Sequence, residues 1–318
     1  MSDRKDDNDF SRRQVLAGLM GLAGAAGVAG VVGCDRPTAK IRGGQMSRKS
    51  SEKTDEAGAR ASGKMPVGYV GHGAPTLVFD KQKGADLRRW ADEMPRPRAM
   101  LVISAHWQDT PVSIGTTERR ELMYDFYGFP KELYEVEYDA PAAPELADRV
   151  AALLGEKQPV QREDRAMDHG VWVPMVHMAP AADIPILQIS LPSQAGPKAL
   201  FELGRKLAPL RDEGIFLLGS GSLVHNLRRI DFSERSSPES WAVEFDQWAA
   251  ETLAQRNFDE LIDYRNHAPG LRIAHPTVEH FEPILVAAGA ASVDEVSTSF
   301  PVEGFEFGNL SRRCVQFG

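Results

Sequence analysis

Three apolar runs, Val67 to Val70, Ala99 to Ile103 and Ile215 to Leu218, each lead into a short signature that contains a histidine. The signatures are Gly71-His72-Gly73, Ser104-Ala105-His106-Trp107 and, beyond Gly219-Ser220-Gly221-Ser222, Val224-His225-Asn226. Short, continuous runs of branched apolar residues read as strands buried on both faces, as in parallel sheets. In an open α/β sheet the carboxyl ends of such strands share one rim, where ligands bind. Histidines far apart in the chain can therefore meet at one point. A fourth signature, Glu279-His280-Phe281, lies near the C-terminus. Neutral imidazole ligates zinc, iron and copper. One such histidine alone would read as structural; recurrence at strand ends points to a mononuclear metal site.

The rest of the chain supplies the helices that cover such a sheet. The spacing predicts helices over Gly84 to Glu93, over Pro144 to Gly155 and over Pro197 to Glu213, the last ended by Gly214. Ser237-Pro238-Glu239 offers a cap and a first-turn proline for a helix burying Trp241, Phe245, Trp248 and Leu253. Pro276-Thr277 starts a last helix, and Asp168-His169-Gly170 is a loop or a helix start. Further strands are expected at Val112 to Thr116, at Pro185 to Leu191 and as a terminal pair within Val302 to Phe317. This alternation, without internal repeats, predicts an α/β fold: a single domain with a mostly parallel central sheet flanked by helices. One segment, Tyr124 to Pro144, departs from it. It is irregular and aromatic, includes Asp125-Phe126-Tyr127-Gly128-Phe129-Pro130, and has the length of loops that cover sites.

The N-terminal residues read differently. Arg12-Arg13 directly precedes an apolar stretch, Val15 to Gly33, rich in Gly and Ala, the pattern of a twin-arginine export signal. Val31-Val32-Gly33-Cys34 resembles a bacterial lipobox, so residues 1–34 are expected to direct export to the periplasm and lipidation at Cys34. That lipid would be the chain's one contact with a membrane. Residues 35–64 are polar and read as a flexible tether, leaving 65–318 as the folded domain. The second cysteine, Cys314, sits in an apolar run and reads as a packing residue. A net charge of −8 gives no basic footprint for nucleic acid.

The glycine-rich pieces exclude two chemistries. Gly219-Ser220-Gly221-Ser222 lacks the third glycine of a dinucleotide fingerprint, and no Gly-x-Ser-x-Gly elbow supports a serine hydrolase. Five motifs instead occur in a telling order: Gly71-His72-Gly73-Ala74-Pro75, Ser104-Ala105-His106-Trp107, Asp168-His169-Gly170, Ser222-Leu223-Val224-His225-Asn226-Leu227 and Pro276-Thr277-x-Glu279-His280-Phe281. Together they resemble the class III extradiol ring-opening dioxygenases, in particular the 4,5-DOPA-dioxygenase-like branch, over essentially all of Met65 to Gly318.

The resemblance implies one divalent metal ion per chain and oxidative opening of a small catechol by O2, beside its two hydroxyls. It implies His72 and His106 as ligands, His280 as the remaining ligand, His225 as a ligand or an acid/base group, and His169 as a catalytic group near the substrate. Fe(II) would serve the dioxygenase reaction. An all-histidine set also suits Zn(II), which has no redox chemistry, so a zinc-dependent hydrolase and a non-catalytic metal-binding or scaffold protein are the alternatives. The number of chains in the assembly is left open.

Overall fold

The apolar runs become the centre of the sheet in the computed structural model, which describes residues 63–115, 118, 121–155, 161–233 and 236–318. The expected export signal, Cys34 and nearly all of the expected tether lie outside the described residues. Lys64, the tether's last residue, already engages the domain: its Nζ lies 2.8 Å from Asp294 and 3.5 Å from Asp212.

Among the described residues the main sheet has eight strands: β1 (Val67–Gly71), β2 (Ala99–Gln108), β3 (Ser113–Ile114), β4 (Gln161–Arg162), β5 (Ile186–Leu191), β6 (Ile215–Gly221), β7 (Thr298–Ser299) and, after a short hairpin of β8 (Phe305–Glu306) and β9 (Leu310–Ser311), β10 (Val315–Phe317). Their order is β4-β3-β5-β2-β6-β1-β10-β7. The central four, β5-β2-β6-β1, are mutually parallel, and antiparallel strands flank them on both sides. Side chains alternate between two apolar layers, as strand geometry requires. Leu101, Ile103 and Leu217 join one layer, Met100, Val102 and Leu218 the other.

Helices cover both faces. On one side lie α1 (Lys81–Glu93) and α3 (His169–Met178), bringing Leu87, Trp90 and Trp172; on the other lie α2 (Pro144–Leu154), α4 (Pro197–Leu207), α5 (Ser240–Ala254) and α9 (Pro283–Ala291), with three short turns of helix, α6 (Phe258–Ile262), α7 (Tyr264–His267) and α8 (Leu271–Ala274), between the last two. None of these is long and apolar enough to cross a membrane. α4 and α9 touch backbone to backbone: a Cβ on Gly204 would lie 2.0 Å from the Val286 carbonyl oxygen. Gly204→Ala should therefore lower stability by about 3 kcal/mol, the upper range for overpacking a rigid contact. A fall in the urea midpoint checks this; an unchanged midpoint would mean the two helices part freely.

Four of the expected helices differ in their bounds, each for a local reason. α1 starts at Lys81 because Asp80 caps it, accepting from Lys83 N–H at 2.9 Å. The helix expected over Pro197 to Glu213 tightens to 3₁₀ geometry from Ala208 onward, where Pro209 has no N–H to donate. The helix expected from Ser237 starts at Ser240, since the Glu239 N–H is drawn to Gly308 O and its carboxylate to Arg229 and Trp241. The helix expected from Pro276 starts only at Pro283, because the His280 carbonyl is taken by Ser222 N–H (3.0 Å) and Tyr69 O–H (2.8 Å). Cys314 is buried and free, as expected of a packing residue.

Candidate metal centre

The sheet register brings the histidine signatures to one rim. β1 and β6 are in step, Gly71 beside Gly221, and β2 and β6 are in step at Ser104 and Ser220. His72 follows β1 directly, its N–H bonded to Gly221 O at 3.0 Å. His106 lies within β2, which runs on to Gln108 but leaves its ladder beyond Ser104, with a register shift between Ile103 and Gln108. That irregular end is fixed by a polar cluster. Ser104 Oγ accepts from His106 N–H (3.2 Å) and donates to the fully buried Asp168 (2.8 Å), and Arg165 donates to His106 O (3.1 Å). Burial raises the Asp168 pKa, and nearby Asp125 adds to it, with bonds from Gln188 and Ser104 opposing.

His72, His106 and His280 converge. Each offers a ring nitrogen to a set lying within 4.8 Å of one another. The Nε2 atoms of His72 and His106 are 3.2 Å apart, and the ring centroids of His280 stand 5.4 Å from His72 and 4.9 Å from His106. Their outer nitrogens show why they fit a cation. Ser220 gives its one hydroxyl proton to Gly170 O, so it accepts from His72 Nδ1–H at 2.9 Å, and the His72 lone pair is on Nε2. Glu279 Oε1 accepts from His280 Nδ1–H at 3.0 Å, which likewise leaves Nε2 bare. Burial, reinforced by the neighbouring histidines, holds all three well below the usual histidine pKa, in the neutral form that binds metals. A metal-bound imidazole typically gives its other ring N–H to a hydroxyl, carbonyl or carboxylate, which is the arrangement that Ser220 and Glu279 provide for His72 and His280.

The other two histidines of the sequence reading flank this set differently. His225 stacks on His280, with centroids 3.6 Å apart and planes within 7°; its ring nitrogens group with Glu279 and His280 and not with His72 and His106. Burial lowers its pKa to about 3. His169 opens α3, with its ring centroid 4.0 Å from that of His106 and 5.5 Å from that of His72. Its Nδ1 bonds Asp125 Oδ1 at 2.8 Å. Burial alone would raise the Asp125 pKa; the bond and charge of His169, with His106 behind, outweigh it and hold the carboxyl at about 2.

All five histidines line a cavity of about 830 Å³, together with Asp125, Phe126, Phe129, Glu279 and Glu306. Phe126 and Phe129 come from the irregular aromatic segment, which thus forms part of the wall. The remaining histidines stand apart: His275 is buried and bonded to Leu223 O (2.8 Å), His177 is bonded to Leu77 O (2.8 Å), and His267 pairs with Asp263 (3.2 Å). Sequence reasoning gave no role to Asp125 or Ser220. The first lay inside a segment legible only as a cover, the second inside a glycine run legible only as a strand end.

Comparison with known proteins places the chain in a family. Residues 77–313 match the family described as the catalytic LigB subunit of aromatic ring-opening dioxygenase, a span that contains His106, His169, His225 and His280, with His72 just before it. A 4,5-DOPA dioxygenase extradiol of Escherichia coli (strain K12) is 39% identical over 263 residues, covering 81% of this chain and 96% of that one. One from Beta vulgaris is 39% identical over 231 residues, covering 70% and 85%. The crystal structure of an uncharacterized Escherichia coli K12 protein superposes with a TM-score of 0.69 at 36% identity, covering 80% of this chain and all of that one. The chain belongs to the LigB family of class III extradiol dioxygenases, enzymes that cleave aromatic rings. Within that family it is of the DOPA-dioxygenase-like kind. Members of the family use a divalent metal, for which the three convergent histidines are the candidate site.

Proposed function

We propose that this enzyme opens the ring of a small catechol beside its two hydroxyls, with Fe(II) held by His72, His106 and His280. The observation that carries the reading is the convergence of three neutral imidazoles, two with their outer nitrogens engaged by Ser220 and Glu279, at an aromatic-walled cavity. The chemistry a redox-active ion supplies when bound is proximity of catechol and dioxygen together with electronic activation of both. An all-histidine set would also suit zinc; the choice of iron rests on the redox demand of the dioxygenase reaction.

The protein's own groups do the rest. Phe126 and Phe129 offer ring faces and edges to a flat aromatic substrate. His169, its Nδ1–H held by Asp125, keeps Nε2 as an acceptor for a hydroxyl proton. His225, close against His280, is the second group able to exchange a proton, and burial keeps its ring neutral at pH 7. Oxygen uptake by Fe(II)-loaded protein across a panel of catechols tests the reading. Uptake with formation of a ring-opened product is expected. No uptake with any catechol, alongside tight zinc, would sink it in favour of a zinc hydrolase or a scaffold of the same fold.

We also propose that the enzyme works in the periplasm. Arg12-Arg13, the apolar stretch after it and Cys34 support twin-arginine export and lipid anchoring in the periplasm. That route carries folded protein, so the metal would be loaded in the cytoplasm before export. Replacing Arg12-Arg13 with a lysine pair should strand the precursor in the cytoplasm, as cell fractionation would show; normal export of that variant would refute the route.

A further inference from the structure

Asp125 makes more contacts around the candidate centre than a wall residue needs. Its Oδ1 accepts from both the main-chain N–H (3.0 Å) and the ring Nδ1–H (2.8 Å) of His169, while its Oδ2 stands 3.6 Å from His106 Nδ1. One oxygen atom thus fixes both the first residue of α3 and the plane of its ring. Asp125 is itself tied down on both sides. Met123 N–H bonds Met167 O (2.9 Å), Trp172 Nε1–H bonds Met123 O (3.0 Å), and Tyr124 O–H bonds Val136 O (2.6 Å). The next residue, Phe126, sets its ring edge-on to His169 at 5.7 Å and packs against Phe129, Tyr134 and Trp172. The aromatic segment therefore holds a carboxylate in place as well as covering the cavity.

We propose that Asp125 is a positioning residue for proton transfer, locking His169 in the tautomer whose proton is on Nδ1, so that Nε2 takes the proton of a substrate hydroxyl. In that step the substrate O–H bond breaks, its electron pair stays on oxygen, and the proton joins the Nε2 lone pair. The imidazolium so formed keeps its Nδ1–H bond to the Asp125 carboxylate, which stabilises the new positive charge. The same group can return the proton later in the cycle. Asp125 touches no reacting atom and acts through His169. This rests on the reading that a hydroxylated aromatic occupies the cavity.

Two measurements test it. Nitrogen-15 NMR of the histidine side chains in zinc-loaded wild-type protein, without substrate and at a pH where the His169 ring carries a single proton, should show that proton on Nδ1; a proton on Nε2 overturns the proposal. This readout needs no variant and no turnover. In Fe(II)-loaded protein, Asp125→Asn should retain one metal per chain and a KM within about threefold of wild type, while kcat falls about 100-fold, the scale of a general acid–base contribution. Because Asp125 acts through His169, the double variant Asp125→Asn/His169→Ala should be no slower than His169→Ala alone. An Asp125→Asn enzyme with wild-type kcat, one that loses its metal, or a double variant whose losses multiply would each overturn the assignment. If wild-type protein opens no catechol at all, the functional reading fails, and the tautomer result still stands or falls on its own.

Discussion

Replacing His72 with alanine should strip the protein of its metal and with it all ring-opening activity. His72 supplies the Nε2 that faces His106 at 3.2 Å, and its own orientation is fixed by Ser220. Removing only an outer partner of a metal-bound histidine typically costs about 10–100-fold in affinity. Ser220→Ala should fall in that range, and His72→Ala should exceed it. His169→Ala should behave in the opposite way, keeping the metal and losing roughly 10²–10⁴ in kcat, the range for a positioned proton-transfer group. Metal titration of the apoprotein, followed by assay of whatever metal is retained, separates the two. If His72→Ala and His169→Ala lose metal and turnover alike, the division of roles is wrong.

The second large effect is expected at Gly221, where the fold and the candidate centre meet. A Cβ there would lie 2.0 Å from the carbonyl oxygen of His280 and 3.0 Å from Tyr69 Oη. That carbonyl is the atom that Ser222 N–H and Tyr69 O–H hold against the end of β6. Gly221→Ala must push the segment carrying His280 off the sheet, breaking two buried hydrogen bonds worth about 1 kcal/mol each and adding steric strain of about 1–3 kcal/mol. Stability should fall by at least about 3 kcal/mol, and metal affinity should fall with it as the His280 Nε2 moves out of reach. Tyr69→Phe serves as the contrast. It removes one of the two bonds without steric strain and should cost about 1 kcal/mol, with metal binding preserved. Urea unfolding and metal titration of both variants check this. A Gly221→Ala protein with normal stability and affinity would mean that the close approach is not what holds His280.

The contact at Gly221 also explains what could be read from the chain and what could not. The strands β1, β2 and β6 are nearly continuous apolar runs, and their direction alone brings His72 and His106 to a common rim. Period and composition carry that information locally. His280 was legible as a signature, but its backbone was not. Pro276-Thr277 looks like a helix start, and only the capture of the His280 carbonyl by Tyr69, 211 positions earlier in the chain, shows why the helix waits until Pro283. Ser237-Pro238-Glu239 misleads in the same way, since Glu239 is claimed by Arg229 and by Gly308 O. Asp125 and Ser220 escape notice because their partners, His169 and His72, are distant in sequence. Local patterns specify elements; long-range hydrogen bonds decide where those elements stop and how the histidines are turned.

His72, His106 and His280 are together expected to hold the metal at which the ring is opened. X-ray absorption at the metal edge of anaerobically purified native protein, with total metal analysis of the same sample, tests it most directly. One iron per chain is expected, in the ferrous state, with three imidazole nitrogens in its coordination sphere, and that signal should be lost in His280→Ala. A full complement of iron in His280→Ala, or a native metal bound through fewer than three imidazoles, would contradict it.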